Sequence, residues 1–286
     1  QDLAADNARF VMAEHGPTVG YAIRYAAAQL PEEADDPPLG TPAAHDEAAG
    51  FSLEGRDIVL LSVDALRADH VGAYGYARAT TPRLDALAAE GVRFEHAYTA
   101  TPHTSYAITS MMTGKYMRPL LLQTDGAANA SDHDTFAKLL RVYGYRTAAF
   151  YPPAVFFIDP ERFLPFRESG LDFEYRRVEF LPAKERAGQV ATYLDRVKID
   201  RRVFLWVHLF EPHEPYERHD DPTAAAFGDR DLDRYDGEVR AADEGIGRIV
   251  DEVRKRRPNA VFIITADHGE EFGEHGGRFH GTTVYE

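Results

Sequence analysis

The 286-residue chain has no cysteine, no long apolar run and no excess of basic residues. Without cysteine it forms no disulfide and no thiolate metal site, and it offers no cysteine nucleophile. No apolar stretch approaches the roughly 18 residues that a membrane-spanning helix needs. The formal net charge of −15 argues against a nucleic-acid-binding protein, because phosphate backbones are bound by basic surfaces. An anionic small substrate is compatible with this charge, since a bound divalent metal inverts the local field.

The composition divides the chain near residue 50. Residues 6–30 have helical composition, and residues 31–50 form a Pro/Ala/acidic linker with almost nothing to bury. In residues 51–286, apolar runs alternate with helical segments, which predicts an α/β domain with a mainly parallel sheet and helices on both faces. Because the chain begins at Gln1 and ends in a loop, we expect a processed or shortened product whose C-terminal part is missing.

Local patterns place the individual elements. Strands are predicted over residues 57–64, 145–151, 203–209 and 261–265, the first and the last of them fully buried. Helices are predicted over residues 81–91, 104–113, 135–143, 184–197 and 236–257, the third capped by Asp132 or Asp134. Residues 152–180 show no recognisable pattern.

Two of these apolar runs end in an aspartate. Asp64 follows the first strand, and Asp267 follows the last one with His268 directly after it. In open α/β sheets, ligands bind just outside the carboxyl ends of the strands. Two carboxylates and an imidazole suit Zn²⁺ or Mn²⁺ better than Ca²⁺, which prefers an all-oxygen shell. Either aspartate alone fits a helix cap equally well, but together they predict half of a metal site.

Other chemistry-bearing residues are less specific. Thr104 and Ser105 open a predicted helix, where a hydroxyl that touches a metal can act as a nucleophile, although the local sequence favours a plain N-cap. His213 stands between two prolines that fix its direction, as an acid/base or substrate-binding histidine requires. His208 lies inside an apolar strand and is predicted to be a core histidine. His280 lies in a Gly-rich loop after the last strand.

Several segments, in chain order, resemble the motifs of sulfatases in the alkaline phosphatase superfamily. The resemblance runs from about residue 57 to 286 and implies an alkaline-phosphatase-like fold that continues past this chain into further strands and a smaller subdomain. The segments are VDALRADHVGAYGY over 63–76, TPRLDALAAEGVRF over 81–94, MTGKY over 112–116, YDGEV from 235 with Asp243 and Ile246-Gly247, and TADHGE over 265–270.

Three positions depart from the usual sulfatase pattern. Thr104 stands where most sulfatases carry the cysteine or serine that becomes formylglycine, Ala65 replaces a second metal-binding aspartate, and His268 replaces a frequent asparagine. These changes resemble the threonine-nucleophile branch, which includes phosphoethanolamine and phosphoglycerol transferases and phosphonate monoester hydrolases. In that branch one transition metal is held by acidic residues, the threonine and an Asp-His pair.

The resemblance therefore implies a role for each candidate residue. Thr104 is the implied nucleophile and also a metal contact. His213 and His280 are implied to contact the transferred group. The implied metal ligands are Asp64, Asp267, His268 and Thr104, around one divalent metal for which zinc or manganese is favoured over calcium.

The expected function is a metal-dependent hydrolase that cleaves sulfuric or phosphoric esters through a covalent threonine intermediate. Two alternatives stay open: a phosphoethanolamine- or phosphoglycerol-type transferase acting on a cell-envelope acceptor, and a catalytically silent binding module that kept the fold. A metalloprotease is excluded because the chain has no His-Glu-x-x-His helix. The threonine branch implies an extracytoplasmic location, with membrane association only through a missing N-terminal part.

Overall fold

A parallel sheet forms the centre of the computed structural model, which describes residues 54–117, 134–158, 160–219, 222–281 and 283. The sheet has five strands in the order β3-β2-β4-β1-β5, and every neighbouring pair is parallel. The strands are β1 (Ile58–Val63), β2 (Arg146–Tyr151), β3 (Tyr175–Val178), β4 (Val203–Leu209) and β5 (Val261–Ala266). The helical segment and linker predicted over residues 6–50 lie outside the described residues.

Helices occupy most of the connections between these strands. The described α-helices are α1 (Pro82–Glu90), α2 (Thr104–Thr113), α3 (Phe136–Val142), α4 (Leu164–Ser169), α5 (Ala183–Leu194), α6 (Pro222–Ala225) and α7 (Asp231–Arg256). Short 3-10 helices span Ala68–His70, Gly72–Tyr74 and Pro153–Phe156. No helix in the described ranges combines the length and the apolar character that a membrane crossing requires.

The two faces of the sheet pack into two separate cores. Successive side chains of a strand point to opposite faces, so β1 contributes to both. Val59 and Leu61 pack on one side with α5 and α7. Ile58 and Leu60 pack on the other side with α2 and α3. The predicted parallel sheet with helices on both faces is confirmed.

β5 differs from the fully buried strand that its sequence predicts. It pairs with β1 on one side, and no described residue pairs with its other side. Ile263 is 40% exposed, whereas its register partner Leu60 on β1 is 4% exposed. An apolar run predicts a strand but does not tell a central position from an edge, so the prediction of full burial is wrong.

Residues 152–180 contain regular structure that the sequence pattern does not indicate. Besides a 3-10 helix, they form α4 and β3. The β3 sequence is Tyr-Arg-Arg-Val, and the strand is mostly exposed at the sheet edge, so it has no apolar run to reveal it.

Two predicted helix starts also differ. α3 is capped by Thr135, whose hydroxyl accepts the backbone N–H of Lys138 at 3.1 Å, because the side chain of Asp134 pairs instead with the Lys138 ammonium. The other predicted cap, Asp132, lies outside the described residues. α7 begins at Asp231, earlier than the predicted residue 236, because the Asp233 carboxylate accepts the Arg230 backbone N–H at 3.2 Å and the Arg230 guanidinium at 2.8 Å.

Candidate metal centre and active site

Four predicted site residues meet at the carboxyl end of the sheet. Asp64 follows β1, and Asp267 and His268 follow the adjacent parallel strand β5, so these three leave the sheet at the same edge. Thr104, the first residue of α2, reaches the same point. All four side chains are buried.

The polar atoms of these four residues lie within contact distance of one another. Thr104 Oγ1 is 3.0 Å from His268 Nε2 and 3.4 Å from Asp64 Oδ1. His268 Nε2 is 3.3 Å from Asp64 Oδ1 and 3.5 Å from Asp267 Oδ2. The interpretation of Thr104 or Ser105 as the N-cap of α2 is wrong, because His103 occupies that position.

The close packing of these charged groups raises the pKa of some of them and lowers that of others. Burial raises the pKa of Asp64, but its contacts with His208 and His268 outweigh burial and hold the pKa well below its usual value. Burial and the charge of Asp64 raise the pKa of Asp267. Burial lowers the pKa of His268, yet the charge of Asp267 and the contact with Asp64 raise it to about 10. The two carboxylates thus favour positive charge between them.

The donor set fits a divalent cation. Asp64 Oδ2 and Asp267 Oδ2 are buried and have no hydrogen-bond partner among the described residues. A buried carboxylate oxygen without a partner is costly, and a metal ion offsets this cost. Carboxylates combined with imidazole and hydroxyl oxygen suit zinc or manganese. The site is therefore compatible with the predicted metal.

His208 is a correction to the sequence analysis. It lies within the core, as predicted, but its Nε2 atom is 3.4 Å from Asp64 Oδ2. The indole of Trp206 donates to Ser62 Oγ at 2.9 Å, and Ser62 Oγ lies 2.8 Å from His208 Nδ1. An indole N–H can only donate, so Ser62 accepts it and also contacts Nδ1 of His208, whose Nε2 atom faces Asp64. His208 thus belongs to the surroundings of the site.

The turn after Asp64 is held in an unusual backbone conformation. Ala65 has a φ of 55°, in the left-handed region that a residue with a Cβ rarely adopts. The Tyr235 hydroxyl donates to the Ala65 carbonyl at 2.7 Å and accepts the Arg67 N–H at 2.9 Å. The Ala65 N–H donates to Asp267 Oδ1 at 3.2 Å, which links the two aspartate-bearing turns. These bonds stabilise the turn that directs Asp64 into the site.

The two histidines predicted to contact the transferred group lie together beside this centre. The ring centroids of His280 and His268 are 4.3 Å apart, and those of His280 and His213 are 4.8 Å apart. The structure also brings Glu270 to His280 at 3.0 Å. Glu270 follows His268 closely in the sequence, but its contact with His280 depends on the fold of the intervening loop, and only the TADHGE motif hinted at it.

Comparisons with known proteins find a matching family and similar folds. The family model for sulfatases matches residues 56–285. An ulvan-active sulfatase of Formosa agariphila is 24% identical, over 76% of this chain and 51% of its own sequence, so this chain spans about half of that relative's length.

Solved structures with the same fold include both metal-bound and synthase proteins. The C-terminal periplasmic domain of EptC from Escherichia coli, in complex with zinc, superposes with a TM-score of 0.61 at 18% identity, covering 79% of this chain and 68% of that one. The lipoteichoic acid synthase LtaP from Listeria monocytogenes superposes with a TM-score of 0.63 at 15% identity, covering 78% of this chain and 58% of that one. At these identities the likeness shows the fold.

Proposed function

Because this chain belongs to the sulfatase family, we propose that it is a metal-dependent hydrolase of sulfuric or phosphoric esters that forms a covalent ester on Thr104. One observation carries the proposal. The Thr104 hydroxyl lies 3.0 Å from His268 and 3.4 Å from Asp64, inside a buried cluster that also holds Asp267. A hydroxyl in such surroundings has the position of a nucleophile and not of a helix cap.

One divalent metal completes the proposed site. When bound, it supplies positive charge that lowers the pKa of a coordinated hydroxyl and stabilises the anionic oxygens of the transferred group. The donor types favour zinc or manganese over calcium, and the zinc complex of the similarly folded EptC domain supports a divalent metal. The proposed ligands are Asp64, Thr104, Asp267 and His268.

The reaction proceeds in two displacements. Thr104 Oγ1 attacks the sulfur or phosphorus atom while the bond to the leaving oxygen breaks. His213 and His280 hold oxygens of the transferred group, and one of them protonates the leaving oxygen. Water then attacks the Thr104 ester, which releases the sulfate or phosphate and restores the hydroxyl.

A transferase is the second candidate. A threonine at the nucleophile position and the shared fold with LtaP both favour it. The chemistry differs only in the second step, in which an acceptor alcohol of the cell envelope replaces water. A silent binding module is the third candidate, and it predicts neither stoichiometric metal nor turnover.

The remaining features of the proposal concern partners, location and domains. The substrate is an anionic ester, and nucleic acid is not a partner for a chain with a net charge of −15. The periplasmic origin of the EptC domain supports an extracytoplasmic location. We propose residues 51–286 as part of the catalytic domain, with residues 1–50 outside it.

Substitution of two neighbouring hydroxyls tests the proposal. We expect Thr104→Ala to lower turnover of nitrophenyl sulfate, phosphate and phosphonate esters by at least about 10³-fold while only weakening metal binding. Ser105→Ala is the matched control, since Ser105 is also buried but its hydroxyl makes no hydrogen bond to any described residue, Asp64 and His268 included. Near-full activity of Thr104→Ala, with metal present by elemental analysis, would contradict the assignment.

A further inference from the structure

Glu270 is a fully buried carboxylate placed behind His280. Its Oε1 atom lies 3.0 Å from His280 Nδ1, and its Oε2 atom accepts the Tyr216 hydroxyl at 2.9 Å. Burial and the charge of Glu270 raise the pKa of Tyr216, so Tyr216 remains a donor. The backbone carbonyl of Glu270 accepts a 2.8 Å bond from the Arg67 guanidinium. Two contacts therefore hold the carboxylate, and a third holds the backbone of the same residue.

This arrangement fixes which nitrogen of His280 faces the reaction. Glu270 Oε2 accepts from the Tyr216 hydroxyl and Oε1 faces His280 Nδ1, so this geometry directs the hydrogen of Nδ1 toward the Glu270 carboxylate. Nε2 is then the atom that remains for the transferred group. The His280 ring itself packs against His268, with ring centroids 4.3 Å apart, so the ring lies beside the proposed metal centre.

His213 provides an internal comparison. Its Nδ1 lies 2.7 Å from the backbone carbonyl of Glu214, and its ring stacks on Phe210 with centroids 4.8 Å apart. The Glu214 carboxylate is also near, at 3.2 Å, but its side chain is 36% exposed. His213 is thus oriented by backbone and by stacking, whereas His280 depends on a buried carboxylate.

We propose that Glu270 is a positioning residue that holds His280 through Nδ1, so that Nε2 contacts the transferred group; this inference rests on the proposed function. Carboxylates behind functional histidines fix both the tautomer and the ring direction, and their loss typically costs about 10- to 100-fold in activity. Glu270 itself touches neither the transferred group nor the metal.

A double-mutant cycle tests whether Glu270 acts through His280. We expect Glu270→Ala to lower kcat about 10- to 100-fold with little change in KM, and Glu270→Gln, which can still accept from Nδ1, to lower it less. In a His280→Ala background, Glu270→Ala should lower kcat by less than about twofold, because the residue that Glu270 positions is already absent. Glu214→Gln is the control and should stay within about twofold of wild type. Independent, multiplicative losses would overturn the proposal.

Nitrogen-15 NMR of the histidine rings gives a second readout that needs no turnover. In the wild-type protein, the resonance that disappears in His280→Ala should show hydrogen on Nδ1, and in Glu270→Ala it should shift toward hydrogen on Nε2. An unchanged tautomer in Glu270→Ala would overturn the positioning role. If Glu270→Ala shows this tautomer shift but the wild-type protein hydrolyses none of the nitrophenyl esters, the proposed function fails and the positioning contact stands.

Discussion

Asp64 and Asp267 end neighbouring strands that differ sharply in burial. β1 lies inside the sheet with every residue buried, whereas β5 lies at the edge and is partly exposed. Both carboxylates are nevertheless buried, at 1% and 3% exposure. The cover over Asp267 therefore comes from the residues around the site and not from its strand. Burial of a strand and burial of the site at its end are determined separately in this fold.

The two aspartates also differ in what holds them. Asp64 contacts the side chains of His208, His268 and Thr104. Asp267 Oδ1 accepts two backbone N–H groups, those of Ala65 at 3.2 Å and His268 at 2.9 Å. Side-chain partners lower the pKa of Asp64, while burial beside Asp64 raises that of Asp267. One carboxylate is thus stabilised as an anion by the protein, and the other is not.

Replacing each aspartate by asparagine should have the largest effect. We expect both Asp64→Asn and Asp267→Asn to weaken zinc or manganese binding by more than about 100-fold, since removing a ligand should cost more than removing a residue that supports one. Isothermal titration calorimetry on chelator-treated protein measures this loss.

Thermal stability of the same chelator-treated variants sharpens the comparison. The lowered pKa of Asp64 means that its anion contributes stability above pH 4, which Asp64→Asn removes. The raised pKa of Asp267 means that the folded protein loses stability as the pH rises through the pKa that Asp267 has in the folded state. Asp267→Asn mimics the protonated, uncharged side chain and should avoid this loss. At pH 7, Asp64→Asn should lower the melting temperature and Asp267→Asn should raise it or leave it unchanged. Equal losses in both variants would contradict the asymmetry.

The strands themselves can be compared at one register position. Leu60 on β1 and Ile263 on β5 are partners, but only Leu60 belongs to a core cluster of the described residues. We expect Leu60→Ala to lower the free energy of unfolding by about 2–5 kcal/mol and Ile263→Ala by about 1 kcal/mol or less. Urea denaturation of both variants measures the difference. If Ile263→Ala lowers the free energy of unfolding as much as Leu60→Ala does, the side chain of Ile263 on β5 is buried in solution, which would contradict the comparison.

The turn after Asp64 is expected to depend on the Tyr235 hydroxyl. Tyr235→Phe leaves the buried Ala65 carbonyl and Arg67 N–H without this partner, so we expect a loss of about 1–3 kcal/mol in the free energy of unfolding. Tyr193→Phe is the matched control, because Tyr193 is a buried residue whose hydroxyl makes no hydrogen bond within the described residues, and the substitution should change stability by less than about 0.5 kcal/mol. Equal effects of the two substitutions, by urea denaturation, would contradict the role of Tyr235.

Much of the sheet could be predicted from the sequence because its strands are apolar runs. The prediction over 203–209 coincides with β4, and α2 lies at the predicted residues, closed by Gly114. The sequence does not predict β3, because an exposed edge strand with two arginines has no apolar signature. The exposure of β5 depends on its neighbours in the sheet, which its own residues do not encode.

In the candidate site, too, some residues can be predicted from the sequence and others cannot. Asp64, Asp267 and His268 were predictable because each follows an apolar strand. His208 and Glu270 were not, because their importance arises from contacts between segments far apart, such as His208 with Asp64, or across a folded loop, as for Glu270 with His280. Residue type and spacing predict which groups reach the end of the sheet, but not which side chains support them there.

A crystal structure of the zinc- or manganese-loaded protein soaked with vanadate tests the central claim most directly. We predict one metal bound by Asp64, Thr104, Asp267 and His268, with the vanadate on Thr104 Oγ1 and the vanadate oxygens in contact with His213 and His280. A metal held elsewhere, or vanadate bound away from Thr104, would contradict the account.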